Sequence, residues 1–364
     1  MTGRLICRGC GRDYPLTAPR WACDCGGLLE VDWRLRLRPG IFSDSPLSLW
    51  RYRIALPLDA AVVPVTLGEG MTPMVEMRSP GARRVWVKMD HLQPTGSFKD
   101  RGAAVMISRL RALGVQSVVE DSSGNAGAAV AAYCARGGLE CTVYVPASAP
   151  QAKIAQIKAY GAHVVSVAGS REAAARAVRK AAEKTYYAGH SVDPFFVQGT
   201  KTVAYEIAEQ LGWRAPRRVV VPLGNGTLFL GLTLGFTELF VNRLVAGMPR
   251  IVAFQSQACN PLCRAFRRNA ADVAGIRCRE SIADGIAVAR PVQAQRILAA
   301  AAGVDAAIMD VSESAIHGAW EKWAALGLSV EPTAAVALAG LDQLENVDDT
   351  VVVVTGHGLK RSRV

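Results

Sequence analysis

The chain has 364 residues, half of them hydrophobic and a fifth charged, which excludes a disordered or fibrous protein and leaves room for two or more cores. Its 42 basic and 31 acidic residues give a net charge of +11. The arginine pairs at 83/84, 217/218 and 267/268 lie far apart, and no basic helix carries interleaved aromatics, so no nucleic-acid partner is expected. No run of about eighteen apolar residues occurs, and the first residues lead into a cysteine pair instead of an apolar leader, so a soluble cytoplasmic protein with no membrane partner is expected.

Residues 1–32 read as a separate knuckle. Cys7-x-x-Cys10, twelve residues, then Cys23-x-Cys25 before Gly26-Gly27 present four thiolates. Such a set can close a tetrahedral zinc site, and so short a segment needs a metal to stay folded. A disulfide pair is disfavoured in a reducing cytoplasm. With all four positions filled by protein, the site would be structural and not catalytic.

Residues 33–84 hold prolines at 39, 46, 57, 64, 73 and 80 and read as a connecting stretch. From Val85 onward, strand and helix patterns alternate. Apolar strand candidates are 85–89, 115–120, 140–145, 162–167, 218–221, 250–254 and 350–354. Helical candidates are 100–113, 126–136, 151–160, 170–184, 200–211, 227–243, 311–326 and 333–345. The alternation predicts an α/β protein with two parallel sheets flanked by helices.

Four loops follow predicted strands, where such a protein places its ligands. The first, 91–102, reads HLQPTGSFKDRG; Pro94 and Gly96 force a tight connection and Ser97 can cap the helix that follows. Lys99 then sits at a helix start, as a surface charge, a phosphate contact or a Schiff-base nucleophile. The second loop is Asp121-Ser122-Ser123-Gly124-Asn125-Ala126-Gly127, whose small residues let a carboxylate approach the backbone. The third, Pro222-Leu223-Gly224-Asn225-Gly226-Thr227, makes a phosphate cradle of N–H groups and a hydroxyl. It is neither a dinucleotide fingerprint nor a P-loop. The fourth is Thr355-Gly356-His357-Gly358-Leu359-Lys360. Together, a lysine and a phosphate cradle point to a phosphorylated carbonyl cofactor.

These segments, with Glu331-Pro332-Thr333-Ala334-Ala335, stand in the order found in fold-type-II pyridoxal-phosphate enzymes, and the chain most resembles the threonine synthase family. PTGSFKDR with TGHGLK is specific to it, and the resemblance spans the chain, knuckle included. It implies a tryptophan-synthase-β-like α/β fold with two doubly wound domains: a small mobile one at 100–195, a large one at 33–99 and 196–364, and the knuckle at 1–32 as a zinc-ribbon-like segment. The implied cofactor is pyridoxal 5'-phosphate in the cleft between the domains, with structural zinc in the knuckle. A homodimer acting on a small amino-acid substrate is the implied assembly.

The resemblance assigns Lys99 as the Schiff-base lysine and proton carrier, preceded by Phe98 beside the cofactor. Asn125 would bind the ring hydroxyl oxygen, Gly224, Asn225, Gly226 and Thr227 the cofactor phosphate, and Thr355 the pyridine nitrogen. Ser122, Ser123 and Gly124 would cradle the substrate carboxylate. Cys7, Cys10, Cys23 and Cys25 would hold the metal.

The substrate side departs from the family. Where Asn-Ser-x-Asn-Pro-x-Arg is expected, the chain has His190-Ser191-Val192-Asp193-Pro194-Phe195-Phe196, so phenylalanine stands at the arginine position. Ala126 replaces a threonine and Leu228 an asparagine. Burying a substrate phosphate against Ala126, Phe196 and Leu228 without those donors would cost several kcal/mol, although His190, Ser191 and Lys153 offer substitutes. The nearest named activity is conversion of O-phosphohomoserine to threonine and phosphate. A paralogue performing β-replacement (cysteate-synthase-like) or serine/threonine deamination is the first alternative, and a non-catalytic ligand-binding relative the second. His91, His163 and His317 read as isolated side chains, and Asp90 and Glu331 as supports of neighbouring loops.

Overall fold

The structure is a computed structural model that describes residues 3–360 except 43, 44, 82, 150 and 170. Near the N-terminus, β1 (Gly3–Cys7), β2 (Asp13–Pro15) and β3 (Leu29–Trp33) pair antiparallel in the order β2-β1-β3. Alternation turns Leu5 and Cys7 inward from β1, against Leu29. Two further strands follow, β4 (Met74–Arg78) and β5 (Arg84–Lys88), before the first long helix, α1 (Lys99–Ala112). The chain then runs β6 (Ser117–Glu120), α2 (Asn125–Gly137), β7 (Glu140–Pro146), α3 (Gln151–Ala159), β8 (His163–Val167), α4 (Arg171–Ala181), β9 (Tyr186–Tyr187) and α5 (Pro194–Thr200). The last stretch is α6 (Thr202–Gln210), β10 (Arg218–Pro222), α7 (Thr227–Val241), β11 (Arg250–Ser256), α8 (Pro261–Arg267), α9 (Ala294–Gly303), β12 (Ala306–Val311), α10 (Glu313–Ala325), α11 (Pro332–Gly340) and β13 (Thr350–Val353).

The chain divides into two units: residues 1–36, 40–70 and 99–200 form the first, and 37–39, 71–98 and 201–364 the second. The cysteine knuckle and residues 40–70 therefore group with 99–200. In the first unit, β8-β7-β6-β9 form a parallel sheet. Helix α1 is buried from Asp100 to Leu110, and its small residues Gly102, Ala103 and Ala104 let α2 and α5 close in on it. The alanine-rich α2 buries Ala126 to Cys134 in the same core as Val143 and Val145 of β7.

In the second unit the sheet order is β12-β11-β10-β13-β5-β4, parallel except for β4 at the edge. Val219–Val221 and Val351–Val353 are wholly buried; such continuous β-branched runs are what strands covered on both faces require. Helix α11 is buried along its whole length, in keeping with its lack of a polar stripe. Lys88 at the end of β5 is fully buried, and its ammonium donates to Glu206 Oε2 (2.7 Å), Thr72 O (2.7 Å) and Gln210 Oε1 (2.9 Å).

The expected helix 200–211 is α6, and the short α5 that precedes it was not expected. Strand β12 and helices α8 and α9 were not expected from the apolar pattern. Among the described residues no helix is long and apolar enough to cross a membrane.

Candidate functional site

In the second unit, β10, β13 and β5 are adjacent parallel strands, so the segments leaving their C-terminal ends line one edge of the sheet. Two of them, 89–98 and 354–358, are tied together. Phe98 N–H donates to Thr355 O and His357 N–H to Gly96 O, each at 3.0 Å, and Ser97 bridges Gly356. Lys360 Nζ adds a bond to Thr95 O at 2.9 Å. Gly96 has φ +83°, a left-handed backbone that suits glycine. Asp90 accepts from Thr72 Oγ1 at 2.8 Å, and Glu331 N–H donates to Gly356 O at 3.0 Å, so both acids sit at loop supports as expected.

The hydroxyls of Ser97 and Thr355 are buried without a hydrogen-bond partner. Ser97 thus does not cap α1 with its side chain, contrary to the sequence expectation. A buried hydroxyl left unpaired costs about 1–3 kcal/mol, a cost that a ligand with polar atoms removes. His91 and His357 face each other with ring centroids 5.3 Å apart, so His91 is not isolated. Burial, then the charge of His357, holds the His91 imidazole down to about 4.

After β10, Gly226 has φ +79° and caps α7, which starts at Thr227. A Cβ on Gly226 would stand 2.2 Å from Ile297 Cδ1, and one on Gly224 2.8 Å from the Ile286 backbone. The cradle thus presents backbone N–H groups with no side chain over them at either glycine. Asn225 is half-buried, and Thr227 and Leu228 are buried at the start of the helix.

In the first unit, β6 and β9 are parallel neighbours, which sets loops 121–124 and 188–193 side by side. The first loop folds back onto α2: a Cβ on Gly127 would lie 1.9 Å from Ser122 O. Ser122 is buried and its Oγ accepts from Gly124 N–H at 3.3 Å. Ser123, Gly124 and Asn125 are half-buried, with Asn125 the first residue of α2 and Ala126 buried behind it. The second loop ends where Asp193 Oδ1 accepts from Phe195 N–H at 2.8 Å, starting α5 at Pro194.

Lys99 is the first residue of α1 and half-buried. Its Nζ lies 5.7 Å from the ring centroid of Phe196, which is wholly buried. Next to that ring stands buried His190, edge to face at 5.9 Å, with Ser191 half-buried beside it. His190 Nδ1 is 2.9 Å from Glu120 Oε1. Glu120 was missed in the sequence, where it reads as the polar end of an apolar strand and its partner His190 is 70 residues away. The Lys153 side chain lies outside the described residues.

The four knuckle sulfurs lie within 4.8 Å of one another, with Cys7–Cys25 and Cys10–Cys23 both at 3.6 Å. Zinc–sulfur bonds of about 2.3 Å in a tetrahedron give sulfur–sulfur edges of roughly 3.8 Å, so the four thiols fit that ion. Tyr14 Oη stands 3.1 Å from Cys23 Sγ, and a Cβ on Gly27 would meet Cys7 Sγ at 2.7 Å. No other cluster of this kind occurs among the described residues. Cys7, Cys23 and Leu29 share a core with Val105 of α1 and Phe195 of α5.

Two parallel α/β sheets, a lysine at a loop-to-helix junction and a glycine-lined helix start define an α/β enzyme built for a phosphorylated ring cofactor. The residues present fit that group: orphaned hydroxyls at Ser97 and Thr355, and a cradle that side chains at 224 and 226 would obstruct. Residues 65–356 match the family described as pyridoxal-phosphate dependent enzymes, and the chain belongs to it, with the fold-type-II architecture. It is 35% identical to the threonine synthase of Methanocaldococcus jannaschii over 97% of this chain and 92% of that protein. With the threonine synthase of Methanosarcina acetivorans the identity is 32%, over 98% and 92%. It therefore belongs to the threonine synthase family of pyridoxal-phosphate-dependent lyases. A fungal L-serine ammonia-lyase from Rhizomucor miehei shares the fold, with a TM-score of 0.69 and 22% identity over 79% of this chain and 93% of that one.

Proposed function

We propose that the enzyme performs β-elimination or β-replacement on a small amino acid whose leaving group is a hydroxyl or short ester, not a phosphate. The observation that carries this reading is Phe196, wholly buried with Lys99 Nζ 5.7 Å from its ring, where the family places an arginine. A substrate phosphate needs donors or a cation in charge-assisted contact, and an apolar ring offers neither. Ala126 and Leu228, both buried, remove two further donors.

Pyridoxal phosphate, when bound, supplies the electron sink that makes the Cα proton removable. Lys99 is assigned to hold it covalently and to carry the proton at Cα. Thr355 offers a neutral hydroxyl to the ring nitrogen, Asn125 orients the ring hydroxyl, and Gly224–Thr227 bind the phosphate. Ser122, Ser123 and Gly124 hold the substrate carboxylate. In the knuckle, Cys7, Cys10, Cys23 and Cys25 hold zinc in a closed, structural site.

The second reading, threonine formation from O-phosphohomoserine, is favoured by the 35% identity to a threonine synthase over 97% of the chain. Phosphate release from O-phosphohomoserine, set against product formation from serine, threonine, O-acetylserine and O-phosphoserine, decides between them. Turnover of serine, threonine or O-acetylserine is expected. Rapid threonine formation from phosphohomoserine overturns the assignment drawn from Phe196.

A further inference from the structure

The first unit buries a carboxyl that no assigned role uses. Glu120 is fully buried at the C-terminal end of β6, one residue before the loop that leads to Asn125. Its Oε1 is 2.9 Å from His190 Nδ1, while its Oε2 is buried with no hydrogen-bond partner. An ionised carboxylate would leave a bare anionic oxygen inside the protein, which is heavily penalised; a neutral acid leaves only a carbonyl oxygen unpaired. The remaining titratable groups around it come from four elements and the adjoining loop: Asp121 in the loop, Cys141 on β7, Lys99 on α1, Cys134 on α2 and Tyr187 on β9. Burial, then the charge of Asp121, raises the Glu120 carboxyl well above the usual carboxylate range, and Lys99 opposes this.

We propose that Glu120 and His190 form a neutral proton relay beside Lys99, in which His190 meets the substrate's leaving oxygen and Glu120 is the positioning residue behind it. The inference rests on the hydroxyl-leaving-group reading above and names the residue that serves it. With the Glu120 proton directed at Nδ1, the imidazole carries its own proton on Nε2 and is a donor without net charge. Such a donor recognises a hydroxyl or ester oxygen but gives a phosphate dianion no countercharge. When the Cβ–O bond breaks, its electron pair stays on oxygen, which takes the Nε2 proton; Nδ1 takes the proton of Glu120. Lys99 meanwhile holds the proton removed from Cα; solvent carries it to the bare Nε2, and Nδ1 hands its proton back to Glu120, which restores the starting tautomer and closes the cycle. The transient Glu120 carboxylate is stabilised by the Lys99 charge. Phe196 packs against the imidazole edge to face at 5.9 Å.

The whole chain has five histidines, so His190 can be assigned by NMR through His190→Gln. Near neutral pH the wild-type protein should show His190 as the neutral Nε2–H form, together with an infrared band of a protonated carboxyl that disappears in Glu120→Gln. Glutamine keeps the contact to Nδ1 but cannot pass a proton, so kcat for the best hydroxyl or ester substrate should fall about 10²-fold with KM changed less than about threefold. A merely structural glutamate would move both constants or neither. Wild-type His190 as an imidazolium or Nδ1–H form, absence of the band, or an unchanged kcat in Glu120→Gln each overturns the relay. If Glu120→Gln loses its melting transition, the wild-type tautomer decides the question, together with the band shifted by labelling glutamate carboxyls with carbon-13. Exclusive use of phosphohomoserine would instead sink the proposed function, with tautomer and band still judging the relay separately.

Discussion

Gly102→Ala is a one-carbon test of how closely α1 must approach α5. A Cβ at residue 102 would stand 2.4 Å from Cδ1 and Cε1 of Phe196 and 2.6 Å from Cγ. Carbon contacts settle near 3.5–4.0 Å, so helix or ring must retreat by roughly 1 Å. The ring cannot swing into solvent, since Phe196 is wholly buried in the core with Ala103, Met106 and Ala188. Replacing glycine inside a helix gains about 1 kcal/mol of propensity, against about 1–3 kcal/mol for overpacking. The two nearly offset, and the net loss should be no more than about 2 kcal/mol. Function should suffer more, because Lys99 lies in the same turn of α1 and a shift of about 1 Å at a reacting group can cost about 10²-fold in rate. Thermal melting and kcat/KM on the same preparation check this. We expect Tm lower by only a few degrees, roughly 2–4 °C per kcal/mol, with kcat/KM down about 10²-fold. Adding Phe196→Leu should recover at least about tenfold by opening the space, a coupling that a double-mutant cycle measures. Wild-type kcat/KM in Gly102→Ala would refute the reasoning.

Three other outcomes are expected. Lys88→Met should destabilise the protein by about 3–5 kcal/mol in urea unfolding, because it strands the buried Glu206 carboxylate, and adding Glu206→Gln should restore part of the loss. The purified protein should contain one zinc ion per chain; a strong chelator should remove it and lower Tm, whereas Cys10→Ser should prevent tight binding from the outset. His91, held down to about 4 in the folded state against about 6.5 unfolded, binds its proton more weakly when folded. Its contribution is complete above about pH 6.5 and is lost as pH falls toward 4, by at most about 3 kcal/mol; the Tm of His91→Asn should therefore depend less steeply on pH across that window.

Much of the fold was legible because both parallel sheets advertise themselves. The β-branched runs at 219–221 and 351–353 have the composition that strands buried on two faces require, and the alanine-rich run after Asn125 that of a helix. Strand β12, Ala306–Val311, was harder: it carries two alanines and Asp310, whose carboxylate accepts from Asn260 Nδ2 at 2.7 Å. Only the fold reveals that pairing. Helix α5 was hidden by its own composition, since Pro194, two phenylalanines and Gly199 read as a break, while tertiary burial of all seven residues makes it a helix. The loops that carry Lys99, Asn125, Gly226 and Thr355 were readable from glycines and hydroxyls next to strand ends. Glu120 was not, because its meaning depends on a neighbour, His190, that parallel pairing of β6 with β9 brings alongside.

The position of residues 99–200 as an insertion has a consequence for how the chain comes off the ribosome. Strand β5 has its parallel partner in β13, where Val351 pairs with Trp86, so the sheet of the second unit stays open until the last strand has been made. The insertion need not wait. Its two ends already meet, the Gly199 Cα region lying against the Arg101 carbonyl so closely that an added Cβ would stand 2.0 Å from its oxygen. Once folded, it acts as a short loop, and the closure entropy that β5 and β13 must overcome shrinks accordingly. During that interval the apolar β5 has β4 on one side and nothing yet on the other, the kind of unpaired edge that invites aggregation. Yield of soluble protein should therefore depend on how fast residues 99–200 fold, even for variants whose final stability is unchanged.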